Sequence, residues 1–152
     1  MGLSILFLYH KKIMNTIDKV WVYGTLKRNY WNYGSMKRAG WEYKGKDYVQ
    51  FDKIDSCGFP MIKLSEESNK WLEVEVFNVS IHWIEWPLDS LEWYTPGSDY
   101  NLYNRVKTKT RSGDEIWIYE IDRDIVDKSE DYYTHNEGED LFFNWTQEDF
   151  TY

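Results

Sequence analysis

The sequence predicts an α+β domain built on a mainly antiparallel, barrel-like β-sheet. Three stretches carry that expectation. Trp71–Val79 alternates, with Leu72, Val74 and Val76 on one side and Glu73, Glu75 and Phe77 on the other, the period of a strand with one buried face. Tyr103–Arg111 and Glu115–Ile121 alternate on either side of Ser112-Gly113-Asp114, which reads as a hairpin. Between them Ser80–Tyr94 changes period. Ile81, Ile84, Leu88 and Leu91 recur at three- and four-residue spacing, as on an amphipathic helix capped by Ser80.

The other elements follow in chain order. Lys19–Tyr23 is short, apolar and rich in β-formers, and it runs into Gly24, as a buried strand ending in a tight turn does. Residues 30–37 suit a short helix. Gly40–Phe51 mixes glycines, aromatics and polar residues and suits one or two strands. Gly58-Phe59-Pro60 is a turn and Met61–Leu64 a short strand. Pro87 has no N–H to give, so the helical stretch is expected to kink or to divide, with Pro87 opening the second piece. In Tyr103–Arg111, Tyr103, Arg105, Lys107, Lys109 and Arg111 share one face, and Val106, Thr108 and Thr110 the other.

At 152 residues the chain suits one domain with its own core. Aromatic residues make up 19% of it, which excludes a wholly disordered chain. The mean hydropathy of −0.70 excludes a multi-span membrane protein. A single cysteine, Cys57, excludes an internal disulfide and a thiolate-cluster zinc site and points to a reducing, cytoplasmic setting. His10, His82 and His135 follow no ligand spacing, Cys57 has no histidine partner in a recognisable motif, and no glycine-rich phosphate loop is present. No metal or cofactor is expected.

Charge is uneven. Residues 1–119 carry a net +1, while residues 120–152 carry −9. Nucleic-acid binding is disfavoured, because its affinity comes from neutralising phosphates. Residues 123–152 read as an acidic aromatic tail containing Tyr132, Tyr133, Phe142, Phe143, Trp145, Phe150 and Tyr152. Such a tail either packs on its own body or docks on a basic protein partner. At the other end, Leu3–Tyr9 is too short to cross a bilayer and lacks the flanks of a signal peptide. Residues 1–13 are expected to be a non-native or disordered extension, with Met14 as the biological start and residues 14–122 as the barrel domain.

Val22-Tyr23-Gly24-Thr25-Leu26-Lys27-Arg28, with Asn32 after it, resembles the signature of the γ-glutamylcyclotransferase-like family, which includes the AIG2-like and γ-glutamylamine cyclotransferase proteins. Gly58-Phe59-Pro60 resembles the family's Gly/Phe-Pro segment, and Trp71–Val79 its Gly-Glu-Val-Phe/Tyr-x-Val strand. Leu88-Asp89-Ser90-Leu91-Glu92-Trp93-Tyr94 resembles its Leu-Asp-x-Leu-Glu-Gly-Tyr, Tyr103-Asn104-Arg105 its Tyr-x-Arg, and Ile116–Tyr119 its closing aromatic strand. The six segments occur in register over residues 20–122. The sequence departs from the pattern at three glycines, replaced by Asn29, Val74 and Trp93.

The resemblance implies a small barrel of about six strands with flanking helices. It also implies a reaction: the α-amine of a γ-glutamyl group attacks its own γ-carbonyl, 5-oxoproline forms and an amine leaves. The nucleophile is part of the substrate, so the protein needs only to move protons and stabilise an oxyanion. By the motif match Glu92 is the general acid/base, beside Leu91, Trp93 and Tyr94, a setting apolar enough to raise a carboxyl pKa. Tyr23, Gly24, Thr25 and Leu26 form the substrate loop, whose backbone N–H groups suit a carboxylate or the oxyanion. Tyr103 is the candidate contact for the glutamyl end and Arg105 for a carboxylate, although Arg105 also belongs to a basic strand face that could meet the acidic tail. Trp93 either narrows the pocket or stacks on a substrate side group. The alternative reading is a catalytically inactive module that binds a small molecule or a protein through the same pocket or the tail. A weaker third reading, a nucleic-acid mimic, rests on the tail charge alone.

Overall fold

Residues 17–22, 42–56, 60–80, 98 and 102–145 are described by the structure, a computed structural model. They form β1 (Ile17–Val22), β2 (Glu42–Ser56), β3 (Pro60–Leu64), β4 (Lys70–Ser80), β5 (Tyr103–Lys109), β6 (Glu115–Ile121), a 3-10 turn at Ser129–Tyr132, β7 (Tyr133–Glu137) and β8 (Asp140–Phe143). The hydrogen-bonded order is β3-β2-β4-β1-β6-β5, with β8 beside β4 and β7 beside β8. All pairings are antiparallel except β1 with β6 and β4 with β8.

The strands arise where apolar alternation is strongest. The hairpin of β5 and β6 runs from Tyr103↔Ile121 to Lys109↔Glu115. Its turn contains Gly113 at φ +94°, a left-handed conformation that a side chain would strain. The described part of Gly40–Phe51, from Glu42, belongs to one long strand, Glu42–Ser56, of the one or two expected. β2 carries a bulge between Tyr43 and Gly45, pairs with β4 through Gln50, then leaves β4 and pairs with β3 from Phe51. Pro60 opens β3, a strand position where its missing N–H is tolerated.

β4 is the hub, and its surroundings correct the expectation of a single buried face. Leu72, Val74 and Val76 join the main core with Val49, Phe51, Ile54, Ile62, Ile116 and Ile118. On the other face Glu75 is 4% exposed and Phe77 fully buried. Tyr103, Tyr119 and Ile121 are buried on that second face as well, by the pairing register of β5 and β6. A central strand is covered on both sides, and alternation alone does not reveal this.

The C-terminal segment is part of the sheet. β8 adds to β4 in parallel, Lys70↔Leu141 to Leu72↔Phe143, and β7 folds back on β8. Tyr132, Phe143 and Trp145 enter the main core, Trp145 with no exposure at all. Phe143 meets Phe51 edge-on at 5.1 Å, while Phe142 points to the other side and meets Tyr48 at 4.8 Å. The described acids of this segment are mostly exposed: Asp122, Asp124, Asp127, Glu130 and Asp131 before β7, and Glu137 and Glu139 at the turn between β7 and β8. Among the described residues there are eight strands, where about six were expected. β1 and β8 lie along the same edge of β4 and converge from opposite ends: β1 stops at Val22↔Glu75 and β8 at Phe143↔Leu72.

The two ends of the sheet meet through single contacts. Val49 bridges Thr110, Arg111 N–H donates to Tyr48 C=O at 2.9 Å, and Leu64 N–H donates to Glu120 Oε2 at 3.1 Å. Among the described residues no continuous ladder closes the sheet into a barrel. The helices expected at 30–37 and after Ser80 lie outside the described residues, and Ser80 itself is the last residue of β4.

Asp127 ties the segment after β6 to the sheet. Its Oδ1 accepts from Ser129 N–H at 3.1 Å and Ile54 N–H at 3.4 Å, and its Oδ2 from Ser129 Oγ at 3.1 Å and Lys70 Nζ at 3.2 Å. Burial pushes this carboxyl up, but the Ser129 and Lys70 bonds outweigh it and hold it below its usual 3.8. A depressed carboxylate stabilises the fold above its unfolded value and loses that contribution as pH falls through the folded one. Asp127→Asn is thus expected to destabilise by about 1 kcal/mol at pH 7, since the pair is part-exposed and partly screened. The difference from wild type should shrink as pH falls below the usual 3.8 and through the lowered folded value. Urea midpoints at pH 7 and across the acid range measure this.

Candidate active site

The end of β1 is where the family resemblance locates the substrate loop. Val22, the residue before Tyr23-Gly24-Thr25-Leu26, is the Cα partner of Glu75 on β4. On its other side β1 runs parallel to β6, with Val20 level with Trp117. Two residues further on, β1 comes level with Tyr119, which pairs with Arg105 on β5. One row thus crosses the sheet from Glu75 through the end of β1 and Tyr119 to Arg105. A neighbouring row runs from Phe77 through Val20 and Trp117 to Lys107.

Of the residues singled out in the sequence, Tyr103 and Arg105 are described. Tyr23, Gly24, Thr25, Leu26 and Glu92 lie outside the described residues. Tyr103 is 4% exposed, and its hydroxyl donates to the Pro60 carbonyl at 3.2 Å, which pins the start of β5 to the start of β3. A phenol oxygen that donates once still has lone pairs for accepting. The Arg105 guanidinium lies over the Trp117 ring at 4.8 Å. Lys107 Nζ lies over the same ring at 4.8 Å and pairs with Glu115 at 3.1 Å. The basic face of β5 and its turn meets the C-terminal segment at Arg111, which pairs with Asp140 at 2.7 Å and stacks on Trp71 and Phe142.

Charge is divided across this face. β4 contributes Glu75 and Glu73, and Lys46 Nζ lies 3.2 Å from Glu73. The hydrogen bond to Glu73, reinforced by its charge, raises the Lys46 pKa. Burial pushes up the neighbouring Tyr48 phenol, with Glu73 and Glu137 adding to the effect. β5 contributes Arg105 and Lys107. Among the described residues no group of His, Cys, Asp and Glu side chains is arranged to hold a metal ion. Nor is any helix among them long and apolar enough to cross a membrane.

Sequence reasoning gave no role to Glu75, Trp117 and Lys107, which the structure places beside the end of β1 and Arg105. Glu75 stood in the recognised strand motif without an assigned role. Trp117 and Lys107 face each other only through the hairpin register, which the position of Gly113 in the turn determines.

The model of the γ-glutamyl cyclotransferase, AIG2-like family matches residues 20–142. The chain belongs to this family. It has the family's mainly β fold, and its function is of the cyclotransferase kind, on small γ-glutamyl molecules. Three solved structures share the fold. A uropathogenic E. coli-specific protein is 19% identical with TM-score 0.55, over 70% of this chain and 80% of its own. A Pyrococcus horikoshii protein is 20% identical with TM-score 0.53, over 73% and 83%. A mouse AIG2-like protein is 19% identical with TM-score 0.52, over 70% and 77%. No curated protein matches the sequence.

Proposed function

We propose that the protein is a cytoplasmic γ-glutamyl cyclotransferase that releases 5-oxoproline and an amine from a γ-glutamyl amine or γ-glutamyl amino acid. The observation that carries this reading is the family match over residues 20–142, within which the six recognised segments fall. In the proposed reaction Glu92 takes a proton from the substrate's α-ammonium. The freed amine attacks the γ-carbonyl, so a lactam C–N bond forms. The tetrahedral oxyanion rests on backbone N–H groups of Tyr23-Gly24-Thr25-Leu26. Glu92 then gives that proton to the leaving nitrogen as the original amide bond breaks, takes the remaining excess proton from the ring nitrogen and passes it to the released amine, which leaves as an ammonium. Tyr103 lines the glutamyl end, and Arg105 pairs with a substrate carboxylate. The reading includes a sheet completed into a barrel, with the helices of residues 30–37 and 81–94 around it.

The test is 5-oxoproline release, followed by mass spectrometry, from γ-glutamyl-alanine, γ-glutamyl-ε-lysine, a γ-glutamyl polyamine and glutathione. Release from at least one compound is expected. Folded protein that releases none overturns the reading.

A further inference from the structure

We propose that Arg111 is a positioning residue: its side chain, seated on the C-terminal hairpin, fixes the tilt of β5 and with it the placement of Arg105 for substrate. This rests on the cyclotransferase reading above and on the part Arg105 has in it, and it adds a residue remote from the reacting atoms.

β5 needs such a tie. It is the last strand in the hydrogen-bonded order, with β6 as its ladder partner among the described residues, and β6 in turn meets β1 at Val20↔Trp117. A two-stranded ribbon held on so short a ladder can tilt. Contacts at its two ends restrain it. At the start of β5 the Tyr103 hydroxyl is bonded to the Pro60 carbonyl. At the far end the turn meets β2: Val49 bridges Thr110, Arg111 N–H donates to the Tyr48 carbonyl at 2.9 Å, and Ser112 Oγ donates to the buried Asp47 carboxylate. These three contacts fall on consecutive residues of β2, Asp47 to Val49. By themselves they leave the ribbon free to rock about that line.

The Arg111 side chain reaches past the line. Its guanidinium lies 5.0 Å from the ring centres of Trp71 on β4 and of Phe142 on β8, and Nη1 is 2.7 Å from Asp140 Oδ2. Phe142 is nearly fully buried and Tyr48 packs edge-on against it, so the seat is firm. Two ring faces and a carboxylate fix a planar guanidinium in orientation as well as in place. One side chain thereby joins the β5–β6 turn to β4 and to the C-terminal hairpin.

The lever is short enough to matter. Arg105 is two residues from Tyr103, and Arg111 is eight. A tilt that pivots at Tyr103 moves Arg105 a quarter as far as it moves the turn. A swing of ~2 Å at the turn shifts Arg105 by ~0.5 Å, the tolerance of a working site. Glu92 belongs to a different segment of the chain, so substrate binding suffers before proton transfer does.

The experiment measures kcat and KM on the γ-glutamyl compound turned over fastest, in wild type, Arg111→Ala, Arg111→Lys, Asp140→Asn and Ile54→Val. Hydrogen exchange of the β5 amides, by mass spectrometry, accompanies it for wild type and Arg111→Ala. Arg111→Ala is expected to raise KM about threefold or more, with kcat within about twofold of wild type, the scale of a remote positioning contact. Its β5 amides should exchange faster. Asp140→Asn should raise KM in the same direction by less. Arg111→Lys should recover part of the loss, since an ammonium keeps the Asp140 pair but not both stacking contacts. Ile54→Val trims the core on the arm where β2 pairs with β3, so it should lower the urea midpoint and leave KM unchanged. A KM in Arg111→Ala equal to that of wild type, or a rise matched by Ile54→Val, overturns the proposal while the cyclotransferase reading stands. If Arg111→Ala does not fold, an unchanged KM in both Asp140→Asn and Arg111→Lys overturns it instead. Absence of 5-oxoproline from every compound in wild type, with circular dichroism intact, overturns both.

Discussion

Replacing Glu92 by glutamine is expected to reduce 5-oxoproline release by about 10²- to 10⁴-fold, the usual contribution of a positioned proton-transfer group. The substitution keeps size and hydrogen-bonding capacity but removes the base. The loss should fall on kcat more than on KM, because an ammonium substrate binds whether or not it is deprotonated afterwards. Glu92→Asp, which keeps the carboxyl but withdraws it by a methylene, should lie between the two, since a misplacement of about 1 Å can itself cost about 10²-fold. Circular dichroism and substrate kinetics on the three proteins make the comparison. Turnover that survives Glu92→Gln removes Glu92 as the acid/base.

The second large effect is on stability. Trp145→Ala is expected to destabilise by about 3–5 kcal/mol, because it empties a fully buried site in the main core. Set against a typical total of roughly 5–15 kcal/mol, one substitution removes much of the margin. Deletion of residues 123–152 goes further. It takes away Tyr132, Phe142, Phe143 and Trp145 together and strips β8 from the edge of β4. The shortened chain is expected to be insoluble or to lack a cooperative thermal transition. A truncation near residue 122 therefore cannot separate an enzyme from a tail-driven binder, since it dismantles the core either way. A truncated protein melting like wild type would show that the C-terminal hairpin is dispensable.

Much of the sheet was legible because alternation marks a strand wherever one face is apolar. Trp71–Val79 and the hairpin around Gly113 are the clearest cases, and their registers place Tyr103 and Arg105 on one face. The C-terminal strands were not legible in the same way. In Tyr133–Glu137 every residue is exposed, so the segment reads as a solvated acidic tail. Its stability comes from Phe142, Phe143 and Trp145 meeting residues far away in sequence, which no local pattern records. Glu75 illustrates a second limit. Parity places it opposite Val74 and Val76, but its burial depends on what covers that side. The candidate site rests on motifs, since Glu92 and the loop at Tyr23–Leu26 came from resemblance and lie outside the described residues. The pairing of Lys107 with Trp117 across a hairpin came from geometry.

The convergence of β1 and β8 on one edge of β4 bears on when the protein can fold. The edge is shared by the first and last described strands, and Val20 also needs Trp117 beside it. A nascent chain on the ribosome can form the β2–β3–β4 meander early. The Lys70–Leu72 end of its central strand stays open along one side until residues 141–143 emerge. Such late, long-range pairings slow folding and leave an unsatisfied strand edge available to neighbouring chains. Expression at low temperature, with slower synthesis and fewer encounters between unfinished chains, should therefore raise the soluble yield.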